Sequence, residues 1–138
     1  MGIIQEGDIA LERKHMHIMA IGAHAGDMEL TAGGVLSKHS LIGDEITIVN
    51  LSAGEKGNPP GMSVEEYREQ KINEAKLFAK IIGAESIVLD YKDGEIPDND
   101  ETRFTVCDII RQYKPDILIT HWKSSMHKDH SAVSRIVT

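Results

Sequence analysis

A three-layer α/β/α sandwich on a mainly parallel sheet is the fold class this sequence predicts, and three observations carry the expectation. Short β-branched runs alternate with longer stretches of helical periodicity. The runs are apolar throughout rather than at every second residue, as strands covered on both faces are. Their order, β-α-β-α-β-α-β, is that of crossover-linked parallel strands.

The first strand is read at His17–Ala23 and the first helix at about Met28–His39, where Gly33 and Gly34 let the helix lie close to the sheet. Ile46, Ile48 and Val49 form the middle of a second strand, Glu45–Leu51. Ser63 and Glu66 make a capping-box pattern that opens the second helix. Val64, Tyr67, Ala75, Phe78 and Ile82 recur along it at helical spacing, and Gly83 stops it. A third strand follows at Ser86–Leu89. The third helix runs from about Glu101 to Tyr113, with Val106, Ile109, Ile110 and Tyr113 on one face and Pro115 beyond its end. Asp116–Thr120 is the fourth strand. The whole is a Rossmann-like pattern over residues 17–138, preceded by an N-terminal extension, residues 1–16.

Composition bounds the function classes. A length of 138 residues suits one domain with a buried core. The net charge of −7, from 22 acidic and 15 basic residues, argues against a nucleic-acid phosphate binder. No apolar run approaches the ~20 residues that span a bilayer. The first fifteen residues mix charge into their apolar positions and lack the apolar core of a signal peptide, so a cytoplasmic location is expected. The single cysteine, Cys107, allows no internal disulfide and reads as a small hydrophobe on a helix face.

Right-handed crossovers place every strand-to-helix turn on one edge of the sheet. His24 and Asp27 follow the first strand, "SAGEKG" the second, "DYKDGE" the third and "HWKSSMHKDH" the fourth. The chemically loaded stretches therefore fall on the carboxyl edge, where open α/β sheets bind ligands. A reversal of strand order between the first and fourth strands would bring the two histidine-bearing turns into one crevice.

A nucleotide cradle does not fit that edge. The dinucleotide fingerprint needs G-x-G-x-x-G, but the turn reads Gly22-Ala23-His24-Ala25-Gly26, and the next strand ends in Asn50-Leu51 instead of an acid. No P-loop run is present. A metal site fits better. His24 and Asp27 stand three residues apart, as do His127 and His130, with Asp129 between the latter two. Three nitrogen or oxygen ligands and one open position are the pattern of a catalytic zinc centre. His15, His17 and His39 are assigned to solvated or structural roles.

These residues resemble the LmbE-like, or PIG-L, N-acetylglucosaminyl deacetylase family of zinc-dependent hydrolases. The family's A-H-P-D-D run with its acid and Gly-Gly appears as "AHAGDMELTAGG", and T-x-G-E-x-G appears as "SAGEKG". "YREQKINEAKLFAKIIGA", "LDYKDGEI" and "PDILIT" follow in order, and H-P-D-H reads "HKDH". The resemblance implies that His24, Asp27 and His130 bind one Zn2+. It implies that His127 stabilises the oxyanion or protonates the leaving amine, that Asp129 orients the His127 ring, and that Glu55 and Arg68 contact substrate. The implied reaction is hydrolytic deacetylation of an N-acetylated amino sugar or related conjugate.

The chain departs from the family pattern in its motifs and in its length. Gly26 stands where the family keeps its general-base Asp, which leaves Asp129, Glu29 or Glu55 as replacements and makes a metal-retaining, catalytically impaired binding form the alternative. Ala25 and Lys128 replace the two signature prolines. The chain also ends about eight residues after His130, inside the start of another helix, so a C-terminal part of the family domain is expected to be lacking. An open edge strand on such a sheet favours a homo-oligomer.

Overall fold

The computed structural model describes residues 14–138, so most of the expected N-terminal extension, over residues 1–13, lies outside the described residues. The element order is β1 (His17–His24), α1 (Asp27–Thr31), α2 (Gly33–Leu41), β2 (Glu45–Ser52), a 3-10 turn (Glu55–Gly57), α3 (Val64–Ile82), β3 (Glu85–Tyr91), α4 (Asp100–Tyr113), β4 (Ile117–Thr120) and α5 (Lys128–Val137). The four strands form one sheet in the order β3-β2-β1-β4, and every pairing is parallel.

Alternate residues of each central strand feed two separate cores, as the period of two demands. Ile18, Ala20, Ile46 and Ile48 face Met28, Leu36, Phe78 and Ile82 from α1, α2 and α3. Met19, Ile21, Ala23, Val49 and Leu51 face Val106, Ala132, Val133 and Ile136 from α4 and α5. Burial on both sides explains why these strands read as unbroken apolar runs. The three-layer α/β/α sandwich with its parallel sheet is therefore the architecture found.

The single helix expected at Met28–His39 is two. Ala32, at φ −116° and ψ −7°, ends α1 and caps α2. Two consecutive glycines weaken the helix at this point. Gly33 lies flush against the Phe78 ring, where an added Cβ would stand 2.9 Å from Cζ, so its small size serves packing against α3, where close approach to the sheet was expected. Gly34 has no such neighbour. The α3 caps follow the pattern: Ser63 Oγ accepts from Glu66 N at 3.1 Å, Ser63 N donates to Glu66 Oε2 at 2.9 Å, and Gly83 ends the helix at φ +71°.

The chain moves from β1 outward through β2 to β3 and then crosses back to place β4 on the other side of β1. The strand order thus reverses between β1 and β4, which opens a crevice beyond their carboxyl ends. β4 is a short edge strand whose Ile117 and Leu118 are exposed. Among the described residues no helix is long and apolar enough to cross a membrane.

Candidate metal centre

β1 delivers His24 at its last position, paired across to Ser52 of β2. The chain then turns sharply through Ala25, whose N–H donates to Ser52 O at 3.1 Å, and Gly26 at φ +110°. That positive φ suits glycine and disfavours any side chain. Asp27 opens α1 and folds its Oδ2 back onto the His24 N–H at 2.8 Å. From the other side of the switch point, His127 caps α5 and places Asp129 and His130 in its first turn.

Three donor atoms meet in this crevice. His24 Nδ1 lies 3.3 Å from Asp27 Oδ2 and 3.3 Å from His130 Nε2, and His130 Nε2 lies 3.2 Å from Asp27 Oδ2. Donors about 2.0–2.1 Å from a zinc ion at tetrahedral angles stand about 3.3–3.4 Å apart. The triangle therefore has the edge lengths of one face of a tetrahedral site, and its two imidazoles and one carboxylate suit zinc. The residues present fit the metal.

Hydrogen bonds behind the triangle orient it. His24 Nε2 is 3.0 Å from Asp129 Oδ2 and 3.1 Å from Asp93 Oδ1, so a neutral His24 would keep its proton on Nε2 and turn the Nδ1 lone pair towards the triangle. A ligand imidazole donating its far N–H to a carboxylate is the usual support for a metal-bound histidine. Burial pushes the His24 pKa down, but its bonds to Asp27 and Asp129 outweigh that and raise it. Burial opposes ionisation of Asp27, yet the surrounding imidazoles and the His24 N–H hold its carboxyl far below the usual range. Burial lowers the His130 pKa despite the attraction of Asp27.

Asp129 departs from its expected place. The family resemblance implies that it orients the His127 ring, but its carboxylate points inward, 1% exposed, and accepts from His24 and from Gly94 N at 2.7 Å. It is the Asp129 backbone N–H that reaches His127, donating to Nδ1 at 3.3 Å. The cause is helical geometry: the ring at the cap takes the amide two residues on, leaving the Asp129 side chain to face the β3–α4 loop. A carboxylate so enclosed is also unsuited to serve as the replacement base. His127 itself is exposed and borders the triangle, its ring centroid 4.7 Å from His24 and 4.9 Å from His130.

Glu55 and Arg68 are brought together, but not towards open space. Glu55 is buried; it accepts from Asp93 N at 2.9 Å and Ser52 Oγ at 3.2 Å, with Arg68 Nη1 at 3.5 Å. Arg68 Nη2 reaches Asp90 Oδ1 at 2.6 Å. The pair braces the turns after β2 and β3, where a substrate-contacting role was expected. Burial pushes the Glu55 pKa up, and these bonds more than reverse it. Glu29 is likewise committed, to Gly26 N at 2.9 Å and Asn50 Nδ2 at 3.0 Å. His17 and His39 are structural, bonded to Thr47 and Asp44 respectively.

Two site residues escaped the sequence reading. Asp93 sits in the quoted "DYKDGE" stretch, and His121 directly follows β4. Each is a lone residue with no partner at metal-ligand spacing, and only the strand order brings them to His24 and Asp27. His121 Nε2 lies 3.3 Å from Asp27 Oδ2.

Comparison with known proteins gives a consistent picture. Residues 19–138 match a family model described as PIG-L, GlcNAc-PI de-N-acetylase. The 4-oxalmesaconate hydratase of Pseudomonas putida KT2440 is 27% identical over 119 residues, covering 81% of this chain and 46% of that protein. The diacetylchitobiose deacetylase of Thermococcus kodakarensis is 29% identical over 104 residues, 74% of this chain and 39% of that one. The solved N,N'-diacetylchitobiose deacetylase of Pyrococcus horikoshii superposes with a TM-score of 0.83 at 24% identity, over 88% of this chain and 48% of that chain. The chain thus spans less than half the length of the curated relatives it matches.

Proposed function

This chain belongs to the PIG-L, or GlcNAc-PI de-N-acetylase, family, and on that premise we propose that it is a zinc-dependent hydrolase that deacetylates an N-acetylated amino sugar or related conjugate. The observation that carries the reading is the triangle of His24 Nδ1, Asp27 Oδ2 and His130 Nε2, with edges of 3.2–3.3 Å. A zinc ion held there by His24, Asp27 and His130 would supply Lewis acidity for an amide carbonyl and lower the pKa of water near it. Asp129 and Asp93 keep the His24 lone pair on Nδ1 by accepting from Nε2. His127, its Nδ1 occupied by the Asp129 N–H, carries its ring proton on Nε2, where it can donate to the carbonyl oxygen as charge develops or to the departing amine.

His127 in this tautomer is a donor, and Glu29, Glu55, Asp93 and Asp129 are each tied to other groups. None is free to take the water's proton. The expected consequence is a rate that rises with pH and that is accelerated by added formate, a small carboxylate able to enter at Gly26. The direct test couples zinc content to acetate release from a panel of N-acetylglucosamine derivatives. One zinc per chain, lost in His24→Ala and His130→Ala, together with released acetate, is the expected outcome; a zinc-loaded protein that releases none from any sugar overturns the hydrolase.

Gly26 also favours a second reading. It offers no carboxylate, and the nearest atom to a Cβ built on it is Lys71 Nζ, at 3.4 Å. A metal site so equipped suits a form that binds a sugar without hydrolysing it. Zinc binding without acetate release would favour this reading.

A further inference from the structure

His121 lies where the pairing of β1 with β4 stops. The ladder ends at Ile21 with Thr120, and Ala23 N–H, two residues further along β1, donates to His121 Nε2 at 2.9 Å. The side chain thus takes over a bond that a longer β4 backbone would make. The Nε2 lone pair is thereby engaged by β1, and the same nitrogen lies 3.3 Å from Asp27 Oδ2.

The ring's face does something else. It stacks on His130 with centroids 4.0 Å apart and planes inclined by only 10°, and the His121 side chain is 11% exposed. The other polar contact given to the His130 ring, besides those within the triangle, is Ser125 Oγ at 3.5 Å from Nδ1, at the limit of a hydrogen bond. His127 and His24 also flank the His130 ring, with centroids 4.9 and 5.3 Å away and planes inclined by 27° and 49°, so the His121 stack is the closest and most nearly parallel of its three ring contacts. We propose that His121 is a positioning residue: anchored to β1 through Nε2, it clamps the His130 ring so that Nε2 stays at its corner of the triangle. This inference rests on reading that triangle as the zinc site.

Three variants separate the stack from the strand-end hydrogen bond. His121→Ala removes both, His121→Phe keeps the flat ring, and His121→Asn keeps an acceptor without a ring. Zinc affinity by competition with a chromophoric chelator, and the absorption spectrum of the cobalt-substituted protein, are measured for each. Loss of an outer-shell partner costs about 10–100-fold in metal affinity. His121→Ala is expected to lose that much and to shift the cobalt bands. His121→Phe should recover most of the affinity and the wild-type spectrum, while His121→Asn should not. Wild-type affinity in His121→Ala, or recovery by Asn and not by Phe, overturns the clamp. Failure of the underlying site reading shows separately, as wild-type protein that takes up no zinc.

Discussion

At the scale of single residues, Asp129 and Gly26 yield the sharpest tests. Asp129 serves the centre through His24, so Asp129→Asn is expected to weaken zinc binding about 10–100-fold, measured by chelator competition, even though Asp129 touches no triangle atom other than through that ring. Gly26→Asp would restore the family's carboxylate in sequence only. At φ +110° a side chain is strained, and the new carboxylate would meet the Lys71 ammonium. The variant is expected to be less stable by about 1–2 kcal/mol in urea denaturation. It should regain base activity only when Lys71 is also replaced by Ala. Sequence spacing made His24, Asp27, His127 and His130 legible because each pair sits three residues apart on a turn. The inward turn of Asp129 was not legible, because it depends on whether the ring or the carboxylate of one helix turn takes the cap.

At the scale of elements, local chemistry was readable wherever a cap or stop residue is explicit. The Ser63–Glu66 box and Gly83 bound α3 as the pattern indicates. Ser63→Ala is expected to cost about 1 kcal/mol by thermal or chemical unfolding, since one acceptor for an orphan helix N–H is removed. The break at Ala32 was hidden, because apolar periodicity continues across Gly33 and Gly34 while the backbone does not. Leu36, fully buried on α2 against β1 and β2, bears on how firmly the broken helix is held. Leu36→Ala is expected to cost about 2–5 kcal/mol, read from the denaturant midpoint.

At the scale of the molecule, the sequence supplied the layers and the carboxyl-edge clustering, but the lateral order of the strands settles which turns meet. Placing β4 beside β1 is what joins His121, His127 and His130 to His24 and Asp27. The buried carboxylates of the same edge set the acid limit. Asp27 and Glu55 both have lowered pKa values in the folded state. Their stabilising contribution is therefore present above the unfolded carboxylate range, about pH 4–4.5, and is lost as pH falls below it. Between about pH 7 and 5.5 the raised His24 pKa and the lowered His130 pKa act on stability in opposite senses, and urea midpoints of the metal-free protein should drop from about pH 5.5 to about pH 3.5 as the two carboxylates are protonated. His24 and His130 are 106 residues apart in the chain, with almost the whole fold between them. Closing so long a loop carries a large entropic cost, and a divalent ion gripping both ends would work as a reversible cross-link on the native state alone. Zinc titration is thus also a folding experiment: the unfolding temperature should climb with the logarithm of free zinc, as for any ligand that binds only the closed chain.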